Sequence, residues 1–516
     1  MKSHCGCNFV SSQSDPTNPS HKTARPAAHG VIYLSFVPFL ALLGGYALHI
    51  VAARWLPTAD YGRFVLALSI LLWTKNLQSE AFRAGLAKSV SEEHGRLRAA
   101  LTVAKRWYVA SAITVFVLLA CAAPLIAAGD RVLLGLLLLG SLEIPFSAAF
   151  RLSASLNNAM RRYPVVSLLQ STYAFFRPAL GCSLIVLGCG AYGAIGGQVI
   201  AGAIAGGVGV FLLVRTVKSL PAIEDPSMLR RSLSWTVYAL PFSVIMSTML
   251  AMDLWFVKGL IEGADAAGVY GAAFTLARTP NFIALAVTGA VFPRVSQAIA
   301  TGNLKLSGSV SKEAFRVLII IFVPLCVLVS ESATAITTFI FSGRYNAAGF
   351  PLSILIVAIS VFAFFRLLLA LIAASDRPGV RLLSAASIMP IGAGLNVLLI
   401  PRFGIAGAAW ATLITMVMGS LVLTPFVKRY AAATLPMGTF ARCGFAGTAI
   451  FVGAYFWQAE DWMLIPKLTV LTGMYVVVLF LIGELGKGEL RYATAVFPAT
   501  IRNRVDFWIY KLPVSK

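Results

Sequence analysis

The chain has 516 residues, of which 58% are hydrophobic and 12% charged, and a formal net charge of +22. A mean hydropathy of +0.82 excludes a soluble globular protein. Apolar runs long enough to cross a bilayer recur about fourteen times, so the sequence reads as an all-α, polytopic membrane protein.

In chain order, residues 1–30 are polar and rich in Ser, Pro and His. They read as a disordered cytoplasmic tail with no cleavable signal peptide. Cys5 and Cys7 form a lone C-x-C, too little for a metal site, and the other cysteines lie in or beside apolar segments, where they fill space. The apolar runs centre near Leu42, Leu72, Val115, Gly140, Arg177, Ala203, Ile245, Leu276, Val323, Ala363, Pro390, Met416, Thr448 and Tyr475. They divide into a six-helix lobe over residues 31–220, a second over 221–430, and helices 13 and 14 over 431–486. Residues 487–516 form a basic tail, with Phe507, Trp508, Ile509 and Tyr510 among its cations, which suits either a segment lying on a membrane surface or a frayed terminus.

The excess charge is mostly a topology signal. Of the 42 Lys and Arg, roughly 30 fall on one side of the spans, about 7 on the other and about 5 inside. The rich side holds Arg96, Arg98, Lys105 and Arg106, then Arg215, Lys218, Lys428 and Arg429; the poor side holds single charges such as Arg54, Arg131, Arg344 and Arg402. The positive-inside rule then places both termini in the cytoplasm. A nucleic-acid partner is not needed to explain the charge.

The two lobes are repeats. Phe150, Arg151, Leu152, Leu156, Ala159 and Arg162 return as Phe365, Arg366, Leu367, Leu371, Ala374 and Arg377, at an offset of about 215 residues. Pro38-Phe39 matches Pro241-Phe242 at an offset of about 203, Pro178 matches Pro390 at about 212, and Tyr192 to Gly197 resembles Phe403 to Ala408 at about 211. An even number of spans per half makes these parallel repeats about an axis along the membrane normal, with any substrate site between them.

Charged residues inside the spans are expensive and therefore informative. Arg151, Arg177, Arg278, Arg366 and Lys75 all fall within apolar segments, where a cation costs about 2.5–3.5 kcal/mol on insertion scales. Glu143, Ser147, Arg151 and Ser155 recur every four residues, and Gln170, Tyr173 and Arg177 share a face, as do Thr275 and Arg278. Arginine forks bind phosphate bidentately at any pH, so such a cavity suits an anionic substrate. Each arginine pairing with an acid, or snorkelling to an interface, is the alternative. Glu143 and Asp253 are candidates for ion coupling. Glu143 is equally a counter-ion for Arg151 or Arg177, and Asp253, near the outer end of helix seven, is expected to be a solvated helix-end residue. His49 stands alone, and no metal-ligand cluster, cofactor motif or nucleotide-binding loop is present.

Four segments resemble a known family. They are Asp253 through Gly268-Val269-Tyr270-Gly271-Ala272-Ala273; Phe341-Ser342-Gly343-Arg344-Tyr345-Asn346-Ala347-Ala348; Asn396 through Arg402 into Phe403-Gly404-Ile405-Ala406-Gly407-Ala408-Ala409; and Asp60-Tyr61-Gly62-Arg63-Phe64. Their order and spacing over residues 31 to 485 are similar to the polysaccharide transporters of the multidrug/oligosaccharidyl-lipid/polysaccharide exporter superfamily. The resemblance implies a MATE-like fold and a bacterial inner-membrane flippase for polyprenyl-diphosphate-linked oligosaccharides, the repeat units of O-antigen or exopolysaccharide. It also implies membrane lipids, a polysaccharide polymerase and chain-length machinery as partners. An enzymatic alternative, a polymerase or ligase acting on lipid-linked sugars, is disfavoured because every outer connection is short and none combines His, Arg and acid. The rivals are a drug or organic-cation antiporter and a lipid II flippase. About five intramembrane cations against two acids favour an anionic substrate over the antiporter.

Overall fold

The computed structural model describes residues 19–92, 97–160, 162–217 and 227–485. Its helices are α1 (Pro19–Trp55), α2 (Thr58–Glu92), α3 (Leu97–Ala127), α4 (Arg131–Ser141), α5 (Glu143–Ala159), α6 (Tyr163–Leu184), α7 (Gly190–Val217), α8 (Ser227–Met249) and α9 (Met252–Leu260). They continue as α10 (Asp265–Ala277), α11 (Thr279–Ala300), α12 (Leu304–Glu331), α13 (Ala333–Phe341), α14 (Gly349–Ala374), α15 (Pro378–Ala431), α16 (Met437–Phe456) and α17 (Leu464–Leu481). No strand occurs among the described residues. With lipid unable to hydrogen-bond the backbone, helices that satisfy their own amides are the expected solution.

Among these residues nine helical stretches are long and apolar enough to cross a membrane, and the bent pair α8–α9 makes a tenth. Two of the nine fold back on themselves. Between α6 and α7 the chain turns at Gly188 (φ 89°) and Gly190 (φ 58°, ψ −144°), and within α15 it turns at Gly404 (φ 58°, ψ −140°). Only glycine adopts such angles without strain. Beyond the second turn the arms pack together, with Gly419 against Ile388 and Gly392 against Thr415. With α2 and α16, the bundle has about fourteen spans in two six-helix lobes plus two C-terminal helices, and every expected centre lies in its own helical segment. The outer surface is apolar, as lipid-facing Leu125, Leu187, Phe456 and Leu481 illustrate.

The repeat is visible in the helix ends. α5 and α14 stop at Ala159 and Ala374, and α6 and α15 restart at Tyr163 and Pro378, all at the offset of about 215 found in the Phe-Arg-Leu motif. The later junction differs from the sequence alignment. The turning glycines that share one backbone geometry are Gly190 and Gly404, so Gly193 corresponds to Gly407 rather than to Gly404. Both Gly193 and Gly407 press against the end of the preceding helix, where a Cβ would strike backbone.

One further boundary moves. α1 begins at Pro19, so the polar stretch before Val31 is helical in its last part. The basic tail 487–516 and Cys5 and Cys7 lie outside the described residues.

Helices α16 and α17 have their own core with α12, built from Ile319, Leu328, Ile450, Leu471 and Tyr475. Charge pairs fasten both ends of α17 to α12. Lys467, 2% exposed, donates to Glu331 at 2.8 Å, and Glu484 accepts from Arg316 at 2.8 Å and from Arg442 at 2.9 Å.

Candidate substrate cavity and buried charge sites

A cavity of about 630 Å³ lies at the lobe interface. One wall is α2, through Ser69, Trp73 and Asn76; the others come from the second lobe, including Phe242, Ser243 and Met246 of α8, Phe274, Thr288, Phe362 and Leu369. Three arginines enter it: Arg278, Arg366 and Arg381. No carboxylate is among its lining residues. Arg278 sits where α10 gives way to α11, a break enforced by Pro280 in the first turn of the new helix. Arg366 projects from mid-α14 and donates to Asn281 Oδ1 at 2.6 Å. Arg381, in the first turns of α15, lies 3.6 Å over the ring of Phe242.

The Nε atoms of Arg278 and Arg381 are buried without a hydrogen-bond partner. A buried guanidinium N–H left unpaired is costly, so these groups await an acceptor. Arg278 and Arg366 were among the candidates read from the sequence; Arg381 was missed. Its place just after Pro378 makes it look like a charge flanking a span, and the signal that it turns inward is the helix face it shares with Ser384 and Ile388, both buried.

The remaining candidates form a second cluster inside lobe one. Lys75, 3% exposed, donates to both oxygens of Glu143 at 2.9 Å. Tyr173 donates to Glu143 Oε1 at 2.7 Å and Gln198 to Oε2 at 2.6 Å. Glu143 is therefore the counter-ion of Lys75 rather than of Arg151 or Arg177, and Lys75 does not reach the cavity. Arg151 and Arg177 act electrostatically on Lys75 and Tyr173, which places them beside this cluster, and Arg177 Nε is buried without a partner. The repeat-related Arg151 and Arg366 thus stand in different surroundings.

Asp253 also departs from expectation. It is 2% exposed rather than solvated. Its Oδ2 accepts from Tyr270 at 2.6 Å and from Thr412 at 3.4 Å, and its Oδ1 from the Leu254 N–H at 2.8 Å. Asp253 opens α9, just past the 50° bend that follows α8, and the cavity lining includes Leu250 and Ala251 at that bend.

The lobes close on each other at the end opposite the cation-rich loops. Gly62 of α2 meets Gly268 of α10 so tightly that a Cβ on either would strike backbone, a small-residue approach of the kind that packs membrane helices. Arg54 donates to the carbonyls of Phe339 and Ile340, and Arg344 to those of Arg54 and Leu56. Beneath them Tyr61 packs on Phe341 and Tyr345, and His49 Nδ1 is 3.2 Å from Tyr61 Oη. Deeper in, Tyr46 pairs with Thr279 at 2.8 Å and Trp73 donates to Thr248 at 2.9 Å.

Comparison with known proteins places this architecture. The family described as polysaccharide biosynthesis protein matches residues 27–299. A relative from Methanocaldococcus jannaschii, described as uncharacterized membrane protein MJ1068, is 27% identical over 211 residues, 40% of this chain and 39% of its own length. The match thus spans well under two thirds of that relative. Among solved structures, the lipid II flippase MurJ in an inward closed conformation superposes with a TM-score of 0.72 at 14% identity, covering 88% of this chain and 98% of its own. An inward-facing multidrug resistance MATE family transporter gives 0.60 at 13% identity, covering 78% and 98%. At these identities the structures speak for the fold alone. The chain belongs to the polysaccharide biosynthesis protein family and has the polytopic fold of the MOP superfamily transporters.

Proposed function

We propose that the protein is an inner-membrane flippase for polyprenyl-diphosphate-linked oligosaccharides, the repeat units of O-antigen or exopolysaccharide, with both termini in the cytoplasm. The observation that carries this reading is the cavity with three arginines and no carboxylate, in which Arg278 and Arg381 hold buried, unpartnered Nε atoms. A diphosphate supplies the missing acceptors. Its two charges meet guanidinium forks that stay protonated at any pH, while the serine, asparagine and aromatic lining suits sugar hydroxyls and ring faces. An organic cation would meet only repulsion there.

In this reading the diphosphate-sugar headgroup enters from the cation-rich side while the polyprenyl tail stays in lipid. Rocking of the lobes then parts the Arg54–Arg344 end and releases the headgroup outward. Arg278, Arg366 and Arg381 hold the phosphates. Lys75, Glu143, Arg151 and Arg177 set the internal charge balance of lobe one, and Asp253 is the carboxylate that couples transport to a cation gradient, since ion or proton binding there changes the charge at the bend between α8 and α9.

The likeness to MurJ supports a second reading, lipid II, whose headgroup is also a diphosphate. Mass spectrometry of lipid-linked oligosaccharides in a strain lacking the gene separates them. Accumulated diphosphate-linked repeat units with polymer lost from the surface are the expected result. Accumulated lipid II with intact polymer would favour the second reading, and neither lipid accumulating would remove both.

A further inference from the structure

The cation-rich end of the second lobe carries another cavity, of about 530 Å³, where the starts of α12 and α16 meet the residues after α17. Lys312, Arg316 and Arg442 line it with Glu313 and Glu484, an excess of one positive charge. Arg316 is consumed within this set, donating to the side chain and main-chain carbonyl of Glu484 and to Glu313. Arg442 gives only one nitrogen to Glu484 and is 49% exposed, so most of its five donors remain for a ligand. Lys312 is exposed and makes no ion pair among the described residues. Part of the lining is apolar: Met437 is 70% exposed, and the half-buried Leu435 stands beside it.

We propose that this cavity binds the headgroup phosphate of an anionic glycerophospholipid, with Arg442 and Lys312 on the phosphate and the glycerol and first acyl carbons against Met437 and Leu435. Three membrane helices end here, at the depth where headgroups lie, and basic pockets between spans on the cation-rich side hold such lipids. A soluble phosphate ester shares the charge but has no use for the apolar part of the lining. The site is separate from the arginine cavity and does not depend on which substrate that cavity carries.

The test is native mass spectrometry of the full-length protein in detergent, titrated with phosphatidylglycerol or phosphatidylethanolamine, with glycerol 3-phosphate as competitor. The wild type is expected to retain phosphatidylglycerol preferentially, by about fivefold for each basic residue engaged. Lys312→Gln with Arg442→Gln should lower that retention to the phosphatidylethanolamine level. Lys312→Gln alone breaks no ion pair and should lower it in part, so the result does not hang on how the double variant folds. Equal retention of the two lipids by the wild type, or unchanged phosphatidylglycerol binding in both variants, overturns the site. Displacement by glycerol 3-phosphate at millimolar concentration overturns the lipid assignment in favour of a soluble phosphate ester.

Discussion

Arg54 and Arg344 come from opposite lobes, and each donates to backbone carbonyls on the segment that carries the other. Arg344 reaches the Arg54 carbonyl itself at 2.7 Å, and Arg54 reaches Phe339 at 2.6 Å. Carbonyls are always available, so the contact depends on the approach of two helix ends rather than on a matching acid. Hydrogen bonds from a charged donor contribute about 1.5–3 kcal/mol each, less where water reaches them. Arg54→Gln with Arg344→Gln should therefore shift the lobes toward the state open at this end. Spin labels at Trp55 and Phe350, both exposed, placed in a cysteine-free background should show a longer-distance population in the double variant. An unchanged distance distribution would mean that the Gly62–Gly268 approach and the packing of Tyr61 on Phe341 and Tyr345 close this end without the arginines.

The same region shows what the sequence made legible. Asp60 to Phe64, Gly268 to Ala273 and Phe341 to Ala348 were recognisable as motifs, yet nothing in any of them says that all three meet. That meeting is a long-range fact, set by Tyr61 packing on Phe341 and Tyr345. Repetition was legible where large residues mark it, as in Phe150-Arg151-Leu152. It slipped by three residues among the glycines, because a sequence does not display the sign of φ that singles out Gly190 and Gly404. Buried cations could be counted from the sequence but not paired, since Lys75 and Glu143 are on separate helices and Arg381 resembles an ordinary flanking charge.

The cavity arginines give the sharpest functional test. Arg278→Gln and Arg381→Gln each remove a charge whose Nε lacks any protein acceptor, so neither should unfold the protein. Losing one charge-assisted fork costs about 1.5–3 kcal/mol of headgroup binding, roughly ten- to a hundredfold. Polymer export should fall accordingly with membrane abundance unchanged by immunoblot. Arg381→Lys should recover only part of it, because an ammonium offers a point charge and not a planar fork. Full export in both Gln variants would remove these residues from the substrate path.

Lys75 should behave in the opposite way. It is 3% exposed and its partner Glu143 1%, so Lys75→Met leaves a buried carboxylate uncompensated, a loss of about 3–5 kcal/mol. The variant should be scarce in membranes or melt early. Adding Glu143→Gln removes the orphan charge while keeping groups for Tyr173 and Gln198 to bond, and should restore most of the stability. A Lys75→Met protein that is abundant and thermally normal but transport-dead would instead give Lys75 a direct role with substrate.

At the cation-rich end, pH acts through Glu484. Burial alone would raise its carboxyl, but hydrogen bonds from Arg316, Thr439 and Arg442 outweigh it and hold the group below its ordinary value of 4.5. A depressed acid stabilises the fold fully above that ordinary value and loses the contribution as pH falls through its lower, folded value. Thermal unfolding of the detergent-solubilised wild type should therefore drop more steeply below about pH 4.5 than that of Glu484→Gln. Parallel acid curves for the two proteins would place the acid sensitivity elsewhere.

In the proposed transport cycle, Asp253 separates coupling from binding. Its oxygens are shared by Tyr270, Thr412 and the Leu254 amide, a set that Asn at the same position satisfies only in part, since the amide nitrogen cannot accept. Asp253→Asn removes the charge that a proton or metal cation would neutralise, yet leaves the arginine cavity, which does not include it. In proteoliposomes carrying a lipid-linked oligosaccharide, the wild type should flip faster under an imposed proton or sodium gradient. The variant should keep its gradient-free rate and lose the acceleration. A variant still accelerated by the gradient would clear Asp253 of the coupling role and leave it as the group that pins α9 to α10 and to the second arm of α15.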